Sequence, residues 1–77
     1  MSNKIILELP ADVGTQIYIP CYDARGRLFV SEAVITGYEW DGNELIAHTN
    51  LNYYLRVNQL YFSHEEAQAV CDKYNNR

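Results

Sequence analysis

The chain has 77 residues, 48% of them hydrophobic, so it has room for one compact domain and is too apolar for a disordered segment. Ten acids against six bases leave a formal charge of −4, which opposes a general nucleic-acid binder, because such proteins need a basic stripe to displace counterions from phosphates. The longest apolar stretch near the start, Ile5–Leu9, is short and broken by Glu8, which excludes a membrane span or signal-peptide core and leads us to expect a cytoplasmic protein with no membrane association.

In chain order, Met1–Lys4 reads as a loose start and Ile5–Leu9 as a short strand or extended arm. Pro10 ends it, and Ala11–Gly14 reads as a turn. Thr15–Tyr22 is the first strand, with Ile17, Ile19 and Cys21 alternating with Tyr18, Pro20 and Tyr22. Pro20 has no N–H to give a ladder, so an edge or a bulge is expected there. A turn over Asp23–Arg27 follows, then a long β-rich run over Leu28–Trp40. Neither of its faces is cleanly apolar under strict alternation, so a bulge or bend is expected near Ser31–Glu32 or at Gly37. Asp41-Gly42-Asn43 is a hairpin signal, and Glu44–Asn50 returns as the next strand. Tyr53–Val57 is a fourth strand, and Leu60–Phe62 a last short strand or 3₁₀ turn.

The C-terminal segment carries several agreeing signals. Ser63 and Glu66 have capping-box spacing, Glu65 and Glu66 complement the dipole of the first turn, and Phe62 is placed to staple onto Ala67. Ala67, Val70, Cys71 and Tyr74 form one apolar stripe. These predict a helix at about 63–75, too short to stand alone and therefore docked on a sheet. The expected fold is mainly β with one C-terminal helix. It is a small antiparallel SH3-like barrel, or a curled sheet of four or five strands capped by the helix, in a single domain over residues 1–77.

No catalytic, cofactor-binding or metal-binding residues stand out, and a non-enzymatic chain without cofactors is expected. Ser63-His64-Glu65 has the letters of a hydrolase triad, but consecutive side chains cannot converge, and capping explains them. His48 is a lone strand histidine. Cys21 and Cys71 have neither a CxxC pattern nor nearby histidines. They read as two reduced, buried thiols, the alternative being a disulfide from the first strand to the helix. Seven tyrosines exceed what so small a core holds with each hydroxyl partnered. The candidate partner-binding residues are therefore Tyr18, Tyr22, Trp40, Tyr54 and Arg56, with Glu39, Asp41 and Glu44 supplying charge against a basic partner.

The tail Leu60-Tyr61-Phe62-Ser63-His64-Glu65-Glu66-Ala67 and the stretch Ala33–Tyr38 resemble the ending and central strand of short proteins from phages and mobile elements of gut Firmicutes, over Ser31 to Tyr74. The resemblance implies a small SH3-like fold. It also implies a protein partner, since some phage proteins of this size bind and block host defence machinery such as CRISPR effectors. The expected function is a non-enzymatic protein-binding module that inhibits a host defence protein by steric occlusion. The alternatives are a nucleic-acid-binding small barrel using Arg25, Arg27, Arg56 and the tyrosines, and a homo-oligomeric accessory protein.

Overall fold

The computed structural model describes residues 8–76, so most of the arm expected over Ile5–Leu9 lies outside the described residues. Four strands, β1 (Gln16–Tyr22), β2 (Leu28–Trp40), β3 (Leu45–Thr49) and β4 (Tyr54–Arg56), pair antiparallel in the order β1-β2-β3-β4 and curl into a half-barrel. A 3₁₀ turn at Val57–Gln59 and the helix α1 (His64–Asn75) follow. The expected β fold capped by a C-terminal helix is therefore the fold observed. The 3₁₀ turn falls earlier than anticipated, at Val57–Gln59, and Tyr61 makes an isolated bridge to Tyr18.

Two aspartates stitch the tight turns. Asp23 Oδ1 accepts from the N–H groups of Arg25 and Arg27 at 2.8 and 3.0 Å. Asp41 Oδ1 accepts from Asn43 and Glu44 at 2.8 and 2.7 Å. Gly26 and Gly42 follow with φ of 77° and 95°, values that L side chains seldom adopt. A short carboxylate that replaces a missing turn hydrogen bond is the reason Asp leads both turns.

The alternation of β1 sets the layers. Ile17 and Ile19 are buried with Ala33, Ile35, Ala47 and Leu60 in the half-barrel interior, where Cys21, Tyr38 and Leu55 pack against them. The Tyr18 N–H points the other way within the sheet plane, donating to Tyr61 O at 2.9 Å on the far edge of β1. Pro20, two residues on, occupies the same edge side. Its missing N–H therefore takes nothing from the β1–β2 ladder, and the Tyr18–Tyr61 pairing cannot continue as a full ladder past it.

β2 serves two halves of the sheet because its register slips. Ile35 pairs with Thr49 and Gly37 with His48, leaving Thr36 as the extra residue of a bulge. Before the bulge the odd residues Ala33 and Ile35 face the interior. After it Tyr38, opposite the buried Ala47, takes that face, and its hydroxyl donates to Ala11 O at 2.7 Å. Of the two positions proposed for the irregularity, the one at Gly37 is correct, and Ser31–Glu32 is regular strand.

α1 lies against the outer face of β1 and β2. Ser63 accepts from the Glu66 N–H at 3.2 Å, the helix-cap half of the expected box, while Phe62 stays exposed. Ala67 and Cys71 are fully buried, Val70 and Tyr74 half-buried. At the other end the Asn75 side chain imitates a strand residue. Its Oδ1 accepts from the Leu28 N–H at 2.9 Å, and its Nδ2 donates to Leu28 O at 2.8 Å. Both cysteines are free. Cys71 is buried on the helix, where burial first and then the Asp72 carboxylate raise its thiol pKa, whereas Cys21 is half-buried and donates to the Tyr53 hydroxyl at 3.7 Å.

The double amide clamp yields a graded expectation. Asn75→Ala should lower unfolding free energy by roughly 1–2 kcal/mol in urea titrations and speed exchange of the Leu28 amide. Asn75→Asp, which keeps the acceptor but turns a charged oxygen toward Leu28 O at the helix C-terminus, should destabilise at least as much as Asn75→Ala.

Candidate protein-binding face

The hairpin register decides which of the candidate residues meet. Asp41 N–H donates to Glu44 O at 3.2 Å, closing the turn, and from there Glu39 pairs with Ile46 and Gly37 with His48. Ile46 and His48 in turn pair with Arg56 and Tyr54. Because facing residues share a side of the sheet, Glu39, Ile46, His48, Tyr54 and Arg56 all lie on the outer face of β2–β4. Tyr38, Ala47 and Leu55 lie on the inner one.

On that outer face the side chains form two linked pairs. The Glu39 carboxylate accepts from His48 Nε2 at 2.8 Å, and the Tyr54 ring packs on the His48 ring with centroids 4.5 Å apart at a tilt of 51°. Next to them Arg56 Nε contacts Glu44 Oε1 at 3.0 Å. Tyr54 is 65% exposed, the largest exposure among the described aromatic residues together with Tyr22. The Glu39 carboxylate thereby holds the His48 imidazole beside the Tyr54 ring. Among the described residues no group of three or more His, Cys, Asp or Glu side chains could hold a metal ion, and no helix is long and apolar enough to cross a membrane. No protein-family model, curated protein or solved structure matches the chain.

Of the eight candidate residues, four converge on this face: Glu39, Glu44, Tyr54 and Arg56. The others lie elsewhere. Tyr18 and Tyr22 are on the face of β1 that α1 covers, where their rings meet His64 and Tyr74 edge-on at 5.7 and 5.6 Å. Trp40 pairs with Leu45 on the side opposite Glu39 and is 41% exposed. The Asp41 carboxylate is committed to its own turn. Arg25 and Arg27 sit in the β1–β2 turn, at the other end of β2 from the strand position that Arg56 joins.

His48 is the member of the face that sequence reasoning set aside. The signal was available: a hairpin closed at Asp41 and Glu44 places His48 opposite Gly37, diagonal to Glu39. A lone histidine two residues beyond Ile46 then becomes a neighbour of a carboxylate nine positions away.

The turn that sets this register is acid-sensitive. Backbone N–H groups of Glu44 and Asn43 hold the Asp41 carboxyl below its ordinary pKa. A depressed pKa contributes stability that is complete above the unfolded value and is lost as pH falls through the folded one. An NMR titration should show Asp41 titrating below a model aspartate, with the Asn43 and Glu44 amides shifting together with it. Asp41→Asn should remove this component of the acid limb while keeping the turn.

Proposed function

We propose that the chain is a non-enzymatic, cytoplasmic protein-binding module encoded by a phage or mobile element, which blocks a host defence protein by covering part of its surface. The protein-binding part of this reading is supported by the convergence of Tyr54, His48, Arg56, Glu39 and Glu44 on one outer face, with the tyrosine ring exposed and its neighbours joined by a Glu39–His48 hydrogen bond and an Arg56–Glu44 ion pair, while the phage and host-defence part rests on the resemblance over Ser31 to Tyr74. A large aromatic surface held in one rotamer by its neighbours loses little entropy on binding, which suits a docking anchor ringed by polar groups. The two acids are paired with His48 and Arg56, so the face presents a mixed-sign pattern and selects register as much as sign.

Affinity capture from a bacterial lysate, read by mass spectrometry, tests this. One protein enriched by the native chain should be lost at least about tenfold with Tyr54→Ala combined with Glu39→Lys, and retained with Arg25→Ala. Retention by the double variant together with loss by Trp40→Ala would move the interface to the opposite face. Recovery of the chain alone would make the outer face a self-interface and overturn the inhibitor reading.

A further inference from the structure

The half-barrel does not close. The residues that carry the chain from β4 to Tyr61 leave a cleft of about 340 Å³ lined by Ile19, Pro20, Leu55, Arg56, Asn58, Gln59 and Tyr61. Its apolar lining comes from Ile19, Pro20, Leu55 and Tyr61. Arg56 is its one charged lining residue, and no carboxylate lines it. An acid entering the cleft would share the Arg56 guanidinium with Glu44. Glu44 touches Arg56 through Nε, from the β3 side.

Among the described residues, the backbone beside this cleft is an open strand edge. The Thr49 N–H donates to Tyr53 O at 3.1 Å and the Tyr53 N–H donates to Thr49 Oγ1 at 3.1 Å, and the pairing continues at Ala47 and Leu55, so the odd residues of β4 face β3 with their backbone groups. The N–H and C=O of Tyr54 then point away from β3, toward the seam. Arg56 has the same orientation, and its N–H is already taken by the Gln59 side-chain oxygen at 2.9 Å. On the opposite lip Pro20 offers no donor, so a segment entering the seam can pair fully only with β4.

We propose that the seam receives an extended, proline-free segment of the partner protein, which adds as a further strand to the free edge of β4. One of its apolar side chains enters the cleft, and an adjacent Asp or Glu meets Arg56. Backbone bonds to Tyr54 supply the attachment, and the cleft and Arg56 supply selectivity. The inference rests on reading the chain as a protein-binding module and adds the chemistry of what it binds.

The test uses the intact chain and a display library of random peptides about twelve residues long, a length that covers β4 and both flanks. Enriched sequences should lack proline and alternate apolar residues with Asp or Glu. A synthetic lead should slow exchange of the Tyr54 amide and shift the resonances of Ile19, Leu55 and Tyr61. Tyr54→Pro removes the donor on the free edge and leaves the β3–β4 bonds intact. It should weaken the lead about tenfold, whereas Tyr54→Ala, which keeps the N–H, should weaken it much less. Should Tyr54→Pro fail to fold, the lead methylated at its central amide nitrogens reads the same backbone bonds and should bind at least about tenfold more weakly. Enrichment of Lys- or Arg-rich peptides, shifts confined to Glu39 and His48, or no enrichment overturns the seam proposal. None of these results removes the outer face as a docking surface for a folded partner, which the lysate capture tests separately.

Discussion

Everything in this molecule depends on one extra residue. A strand whose side chains alternate without interruption can bury only one set of positions, and in β2 that would put Ile35 and Tyr38 on opposite sides. Thr36 breaks the count, so both point into the same interior. The same slip turns Glu39 outward, where it meets His48, and lets β3 and β4 fold over the core. Without it, the hairpin would present Glu39, His48 and Arg56 to the interior and its apolar residues to water.

The first half of β2 raises a different problem, because β3 pairs only with the second half. Its outer edge would otherwise expose a row of backbone donors and acceptors. Two asparagines cover its ends. Asn75 takes both groups of Leu28, and Asn50 accepts the Val34 N–H through Oδ1 at 2.9 Å while its own N–H donates to Val34 O at 3.1 Å. The Asn75 carboxamide reproduces the donor–acceptor pair of a peptide unit, and Asn50 does so with its side-chain oxygen and its backbone N–H, so these two residues stand in for a neighbouring strand at either end of this edge. Capping an edge in this way discourages pairing with other chains. Against that background the free edge of β4, flanked by an apolar cleft, stands out.

Features set by near neighbours were legible in the sequence. Asp41-Gly42 and Asp23–Gly26 declare their turns because a carboxylate and a residue tolerant of positive φ are needed within four positions. Ser63 declares the start of α1 for a similar reason. The alternation of Ile17 and Ile19 with Tyr18 separated the two faces of β1 correctly. What the pattern cannot convey is that a helix more than forty positions later lies over part of the tyrosine side, so Tyr18 is half-buried while Tyr22 stays exposed as expected. In Leu28–Trp40 the composition demanded a bulge but offered two places for it, and only the partner strand chooses. The binding face divides along the same line: Glu39 and Glu44 were singled out as charges near a turn and Tyr54 and Arg56 as the outward set of an alternating strand, while His48 needed the hairpin register to acquire a neighbour.

The clamp at Asn75 has a kinetic side. It joins residues 47 positions apart, and the Tyr18–Tyr61 bridge also spans more than half the chain. Loop closure costs entropy that rises with the logarithm of separation, and neither contact gains anything until β1 and β2 have paired. The local hairpins can form early, but α1 has a surface to dock on only once they are in place. The helix therefore acts as a late lock: unfolding should begin where it lets go, and the life of the folded chain is governed by how rarely that happens.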